Sequence, residues 1–357
     1  MKVCILGNGL TSLTLAKALV NLDINVDIYS NEKIKNYNKN QTIGISKANT
    51  EFFNNNVLNI KKFLWNINRI EIFSDSLKDQ KILKFENKQK KIFSIIRNFE
   101  VYKYLLSKLN RNKLIKFKKK FDYHNLDKNK YKLIFNCEFN NPITKKFFYK
   151  KISKNYNSSA FITIINHKKL FDNFTATQIF TKIGPIAFLP ISSKETSVVY
   201  SVKSEKNIDL ENLIKKYNTK YKILKINKIA SIKLKSSNLR FYNYKNILAF
   251  GDLLHKVHPL AGQGFNMSVR DIKEIIKLIK IRKDNGLDLD NSIFLDFEKN
   301  TRHKNYLFSQ GVDFIYEFFK LESKIKNNIF SKTVKLIGKN KIANNFFKKI
   351  ADKGIVI

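Results

Sequence analysis

The chain has two cysteines, Cys4 and Cys137, in 357 residues. That is too few for a disulfide scaffold or a multi-cysteine zinc site, and it fits a reducing compartment. It has one tryptophan, four prolines and eleven glycines. No run of 18 apolar residues is present, which argues against a membrane-spanning helix. Acidic side chains are scarce too: 29 Asp and Glu stand against 68 Lys and Arg, a formal charge of +39. The basic residues form no tail. They are spread among Asn, Ile and Phe, as in Lys215–Lys228, and no nucleic-acid-binding motif accompanies them, so nucleic acid is not an expected partner. Shared adenine- and thymine-rich codons account for this bias most simply; attraction to an anionic membrane surface is the functional counterpart. What the chain has in quantity is core material. Hydrophobic residues make up 43% of it, including thirty Phe and fifteen Tyr, which excludes a disordered chain and supplies roughly two domains. The N-terminal apolar stretch is short, ends in Gly7-Asn8-Gly9, and reads as a buried strand rather than a signal peptide.

Scarcity makes the glycines informative. Five of the eleven fall in two short segments, Gly7–Gly9 and Gly251–Gly264. Glycine is used where φ must be positive or a ligand must approach the backbone. In the first segment, Lys2–Leu6 predicts a strand, Gly7-Asn8-Gly9-Leu10-Thr11-Ser12 a turn, and Leu13, Leu15, Ala16, Leu19 and Val20 a helix. A second strand follows at Asn25–Tyr29. Strand, Gly-rich turn, helix and strand is the first βαβ unit of a dinucleotide-binding fold, in which a pyrophosphate rests on the helix N-terminus. Ser12 stands at the third glycine position, and Ser30 stands where an acidic residue would meet the ribose, with Glu32 nearby. In the second segment, a strand at Ile247–Phe250 runs into Gly251-Asp252. A loop then carries His255, His258-Pro259 and Gly262-Gln263-Gly264 into a helix beginning near Phe265. Asp252 at a strand end suits a sugar-like chain, and bare N–H groups at Gly262–Gly264 suit an anion or a polarised carbonyl. The plain structural alternative is a Gly-rich loop with a capping Asp.

The second segment resembles the second FAD-binding motif of flavoprotein aromatic hydroxylases, G-D-x-x-H-x-x-H-P-x-A-G-Q-G-x-N-x-x-x-x-D. Gly251, Asp252, His255, His258, Pro259, Ala261, Gly262, Gln263, Gly264, Asn266 and Asp271 all match. This form is most similar to the ubiquinone-biosynthesis hydroxylases that act on polyprenylated phenols. Phe180–Pro190 resembles the G-P-x-A-x-L-P strand pair of the same proteins, with a turn expected at Gly184-Pro185. Leu295–Arg302 resembles the start of their C-terminal helix. The middle motif of the family, A-D-G-x-x-S-x-x-R, is eroded here: Glu138, Phe139 and Lys145 replace its Asp, Gly and Arg, and a backbone that approaches a cofactor or turns with φ > 0 tolerates a Phe poorly. Gln41 stands where an Arg is expected.

The resemblance implies an α/β fold like that of p-hydroxybenzoate hydroxylase. A Rossmann-like FAD-binding domain would comprise residues 1–60, 90–150 and 240–286. An inserted β-sheet substrate domain would comprise 61–89 and 151–239, with a helical C-terminal region at 287–357. It implies that Gly7, Gly9, Leu10, Thr11 and Ser12 receive the pyrophosphate, that Ser30 and Gln41 lie along the cofactor, and that Asp252 holds the ribityl chain. Pro259, Gly262, Gln263, Gly264, Phe265 and Asn266 would line the isoalloxazine, with His258 and Pro259 beside the flavin. No metal site is expected. The implied reaction is hydroxylation of a polyprenylated phenol in ubiquinone biosynthesis. NADPH or NADH would reduce FAD, and O₂ would be used through a flavin hydroperoxide. The setting would be cytoplasmic, peripheral on the inner membrane face, with other quinone-biosynthesis proteins as possible partners. The eroded middle motif suggests the alternative of a non-catalytic or partner-dependent flavin-binding scaffold. The Lys-rich stretch Asn327–Ile357 reads either as packing against the body or as a basic membrane-surface helix.

Overall fold

The computed structural model describes residues 1–30, 39–75, 81–86, 91–123, 131–203, 209–258, 262–325, 332 and 340–354. Glu32, Pro259 and Ala261 lie outside the described residues, as do parts of 327–357.

Strands that are apolar on both faces need cover on both faces, and this dictates the first layer. Lys2–Leu6, Asn25–Tyr29, Ile115–Lys118, Leu133–Asn136 and Ile247–Ala249 form a parallel sheet, edged by the antiparallel Asn243–Tyr244. Lys2–Leu6 lies in its interior, flanked by Leu133–Asn136 and Asn25–Tyr29. The Leu10–Val20 helix is buried along most of its length and packs between the Asn98–Asn110 and Gln263–Asp284 helices. Phe135 meets Phe250 and Phe294 edge-on at 5.6 and 5.2 Å. Each such buried ring contributes roughly 1.5–3 kcal/mol through the apolar surface it removes from water.

One buried charge sits in this sheet. Asp27 receives Lys2, Lys118 and the Tyr131 hydroxyl. Burial alone would raise its carboxyl, but these donors outweigh it and hold the group below its ordinary value.

The second layer is a nine-stranded sheet. It runs from His255–Lys256 through Ala230–Leu239, Lys151–His167, Glu195–Lys203, Gly184–Pro190, Thr175–Thr181 and Arg69–Ser74 to Lys81–Glu86, with Ile223–Ile226 also paired to Lys151–His167. Its alternating pattern is visible in Glu195–Lys203, where Val198, Tyr200 and Val202 point into one core. The turn expected at Gly184-Pro185 falls two residues earlier. Gly184 already pairs with Thr181 and Pro185 with Phe180, so the reversal is made by Lys182 and Ile183. A three-stranded sheet of Thr42–Ser46, Phe93–Arg97 and Trp65–Ile67 completes the strands described. Trp65 stacks on Phe174 at 5.4 Å and donates its indole N–H to the Asn173 carbonyl, 2.8 Å away.

The long Ser292–Ile325 helix lies against the Gln263–Asp284 helix. The Lys341–Lys353 helix bridges the body. Ile350 enters a cluster of Val257, Met267, Phe308 and Val312, Asp352 accepts from Ala48 N, and Lys348 reaches the Glu86 carbonyl. Of the two readings of the C-terminal stretch, packing is the one realised at these contacts.

Candidate active site

The carboxyl ends of three parallel strands meet at one edge. In open α/β sheets this is where ligands bind. After Lys2–Leu6 the chain turns through Gly7, whose φ of +108° is open to glycine and hostile to side chains. A Cβ there would lie 3.1 Å from Glu138 Cγ and 3.5 Å from Ser12 Oγ. Gly9 then opens the Leu10–Val20 helix with no side-chain cap and no acidic residue in the first turn. The positive end of that helix is therefore left uncompensated by its own first turn. Ser12 is 1% exposed, so the residue at the third glycine position does pack tightly. The Gly251–Leu253 turn reaches the same place from far along the chain: a Cβ on Gly251 would lie 3.0 Å from Thr11 Cγ2. Ser30 ends the neighbouring strand, its N–H on the Lys118 carbonyl at 3.1 Å. Gln41 sits before the Thr42–Ser46 strand, its carbonyl accepting from Asn98 N at 3.1 Å.

Asp252 stands at this edge. Its side chain is exposed, and the protein packed around its base raises its carboxyl above the ordinary value by desolvation. Nearby His255 and Lys256 act against the rise.

The second focus is where Gly262 meets Gly44. Gly262 caps the Gln263–Asp284 helix in the left-handed region (φ +63°), and a Cβ there would be 3.1 Å from Gly44 N. Asn266 holds this junction. Its amide donates to the Gly44 carbonyl at 2.8 Å, and its oxygen accepts from Ser46 N and from Asn49 Nδ2, both at 2.9 Å. Gln263 Oε1 is buried and has no hydrogen-bond partner among the described residues. Phe265 leans on Phe53 with ring centroids 6.4 Å apart. A Cβ on Gly264 would meet Val257 at 3.9 Å, an ordinary contact, with nothing nearer among the described residues.

A polar ladder behind these turns was not legible in the motifs. His255 Nε2 lies 2.5 Å from Asp271 Oδ2, and Asn305 donates to Asp271 Oδ1 at 2.9 Å. Along the Ser292–Ile325 helix, Ser309 accepts from Asn238 at 2.9 Å. Asp313 accepts from the Tyr156 hydroxyl and from Ser236. Tyr316 packs on His258 at 4.3 Å, and Tyr156 meets the same imidazole edge-on at 4.9 Å. The spacing of 305, 309, 313 and 316 on one helix face was the available signal. What it could not supply was the partners on Ala230–Leu239 and Lys151–His167.

Burial pushes His258 down to about 4, so it is neutral at pH 7. Its unfolded value lies near 6.5, so the unfolded state binds the proton first as pH falls. The stability held by the neutral ring is present above about pH 6.5 and is lost as pH falls toward 4, about 3 kcal/mol in all. Urea unfolding between pH 4 and 7 should show this slope in the wild type and a clearly shallower one in His258→Leu. Parallel slopes would refute the assignment.

The eroded middle motif folds into a compact turn. Asn141 caps the Pro142–Phe147 helix by accepting from Thr144 N, and Asn136 bonds both Asn141 and Thr144 Oγ1. Thr144 Oγ1 in turn donates to the Glu138 carbonyl at 2.6 Å. Phe139, expected to be poorly tolerated where the family has Gly, takes a negative φ and leaves 43% of its surface in solvent. The substitution is absorbed because the side chain points out of the fold.

No protein-family model matches the chain. Among curated proteins, it is 26% identical to human mitochondrial ubiquinone biosynthesis monooxygenase COQ6, over 43% of this chain and 42% of that one. It is 22% identical to the Dictyostelium discoideum protein of that name, over 96% of this chain and 88% of that one. The chain spans less than half the length of the human and mouse relatives it matches. Among solved structures, p-nitrophenol 4-monooxygenase PnpA from Pseudomonas putida superposes with a TM-score of 0.79, covering 99% of this chain and 98% of that one at 11% identity. Klebsiella pneumoniae HpxO, solved with FAD and uric acid, superposes with a TM-score of 0.75 over 99% and 97% at 11% identity. The fold is that of the FAD-dependent monooxygenases. The resemblance to ubiquinone-biosynthesis hydroxylases inferred from Gly251–Asp271 is borne out by the curated relatives.

Proposed function

We propose that the chain is an FAD-dependent monooxygenase that hydroxylates the ring of a polyprenylated phenol in ubiquinone biosynthesis, with NAD(P)H and O₂. The observation that carries the reading is the convergence at the sheet edge. Thr11, in the turn that Gly7 and Gly9 make, closes on Gly251, and the exposed Asp252 carboxylate beside it has no hydrogen bond to any described residue. The residues fit FAD. The N-terminus of the Leu10–Val20 helix, with no side-chain cap from Gly9 and no acid in its first turn, suits a pyrophosphate, Asp252 suits the hydroxyls of a ribityl chain, and the buried acceptor of Gln263 has no donor among the described residues and suits one from a ligand. Gly7, Gly9, Leu10, Thr11 and Ser12 would hold the pyrophosphate, with Ser30 and Gln41 farther along the cofactor. Gly262, Gln263, Gly264, Phe265 and Asn266 would face the ring system, with Pro259 beside His258.

When bound, the flavin would supply the redox chemistry and the activation of O₂. The chain's own task is placement. Asn266 fixes the Gly44 backbone against the Gly262 turn, so two backbone segments 218 residues apart present one rigid surface. His258, wedged between Tyr156 and Tyr316, is kept neutral by burial and would leave the flavin side of the site uncharged. No described helix is long and apolar enough to cross a membrane, so a lipid-soluble phenol would have to be collected at a membrane surface.

The test is anaerobic addition of NADPH or NADH to the FAD-loaded protein, with and without a prenylated phenol. Bleaching of the flavin band that is faster with the phenol supports the hydroxylase. A flavin that binds but stays oxidised favours the second reading, a scaffold or partner-dependent protein, which the loss of the Asp, Gly and Arg of the middle motif at Glu138, Phe139 and Lys145 motivates. No flavin binding at all defeats both.

A further inference from the structure

Two segments distant in sequence build one exposed belt. The end of the Pro142–Phe147 helix stacks Phe147 on Tyr244 with centroids 3.8 Å apart, and Arg240 N donates to the Lys150 carbonyl at 3.0 Å. Around this seam Tyr149 is 61% exposed, Phe241 54% and Ile152 41%. Leu295, 58% exposed, shares with Phe241 a groove of about 520 Å³ on the flank of the Ser292–Ile325 helix. Large apolar side chains clustered like this in solvent mark an interaction site.

The charge around them is mostly positive. Lys146, Lys150 and Lys245 place their ammonium groups 5.4, 5.9 and 5.9 Å from the rings of Phe147, Tyr149 and Tyr244. Lys299 and Arg302 line the groove, and Arg302 donates to the carbonyl of neighbouring Arg240 at 3.5 Å. The acid in the groove is Glu298, and it is already engaged by Tyr242 N, Asn243 and Arg302. Exposed aromatics and aliphatics with cations raised beside them match the boundary of an anionic bilayer. Apolar groups enter the acyl margin there, and ammonium groups stay at the phosphates. A single-stranded nucleic acid would also value rings and cations, but Phe147 and Tyr244 already occupy each other's faces, and Ile152 and Leu295 offer a base nothing to stack on.

We infer that this belt, Phe147–Ile152 with Phe241–Tyr244 and Leu295, is the face by which the protein docks on anionic phospholipid. The belt also adjoins the proposed chemistry. The strand that begins at Lys151 carries Tyr156, the residue edge-on to His258, four residues past Ile152, or roughly 13 Å along an extended chain. The purpose of docking, supply of a lipid-soluble substrate, rests on the reading above; the surface itself does not.

The experiment is co-sedimentation of the full chain with vesicles of phosphatidylcholine alone and of phosphatidylcholine with phosphatidylglycerol. The wild type is expected to bind the anionic vesicles. Lys150→Glu/Arg240→Glu and, separately, Tyr149→Ser/Phe241→Ser should each weaken binding by about tenfold or more. Lys349→Glu/Lys353→Glu, the same charge change on the Lys341–Lys353 helix, should leave it within about twofold. Equal losses in the two charge-reversed pairs would mean diffuse attraction and would overturn the belt. Wild-type indifference to anionic vesicles, or tighter binding to a single-stranded oligonucleotide, would do the same. Flavin content and anaerobic reduction without vesicles report on the enzyme reading independently. Belt variants should keep both, and a wild type that docks without being reduced would sink that reading and leave this one standing.

Discussion

An Asp271→Ala protein should unfold about 3–5 kcal/mol more readily than the wild type in urea, the largest stability loss expected of any single change at the site. Asp271 is 1% exposed and serves two buried partners, His255 at 2.5 Å and Asn305 at 2.9 Å. Truncating it removes both acceptors at once and strands an imidazole and an amide where water cannot reach them. Asp271→Asn should cost less, because one amide oxygen remains to accept. The stronger check is a double-mutant cycle. If the cost lies in orphaned partners, His255→Leu combined with Asp271→Ala should be far less damaging than the sum of the two. Additive losses would mean that His255 and Asp271 do not act as a pair. The proposed flavin site should feel the change through the Gly251–Leu253 turn, which lies two residues before His255.

The sequence made Asp271 visible as the last letter of a motif but said nothing of what it does. Its partner His255 was visible in the same way. Asn305 belongs to no motif, and the contact that joins them spans a helix pair that no local pattern encodes. The same division runs through the rest of the fold. The strand Lys2–Leu6, the turn at Gly7–Gly9 and the helix that follows were legible, because an apolar run of five followed by glycines has few alternatives. The Gly262 cap was legible for a similar reason. That it packs on Gly44 was not, because backbone approach between a helix cap and a distant strand leaves no trace in spacing. Phe139 shows the converse. From sequence it was an obstacle to a glycine turn, and in the structure a neighbouring set of Asn and Thr side chains builds the turn differently and sends the ring outward. The reversal after Thr181 went astray by two residues because Gly184-Pro185 is strong turn chemistry, while the sheet register keeps both residues inside the strand.

Asp252 separates cofactor binding from stability more cleanly than any other residue. Its carboxylate has no hydrogen-bond donor among the described residues, and its crowded surroundings disfavour the charge, as the upward shift of its carboxyl records. A carboxylate held in that way contributes nothing to the protein without a ligand and becomes useful once hydroxyl groups arrive to solvate it. Asp252→Ala should therefore weaken FAD binding by roughly 10- to 100-fold, the worth of one or two charge-assisted hydrogen bonds. In the same variant, urea unfolding of the apoprotein at pH 7 should be unchanged or slightly harder, because an unfavourable charge has been removed. The sign follows from linkage: a carboxyl raised in the folded state is worth less when ionised there than in the unfolded chain. Asp252→Asn should fall between, keeping one acceptor and losing the charge. FAD affinity of the wild type should also decline as pH falls toward the raised value, and that decline should vanish in Asp252→Asn. Fluorescence titration with FAD beside urea melts of the apoprotein decides the matter. If the apoprotein is destabilised while FAD binds as before, Asp252 is a cap for its own turn, and a flavin ribityl chain is not what it holds.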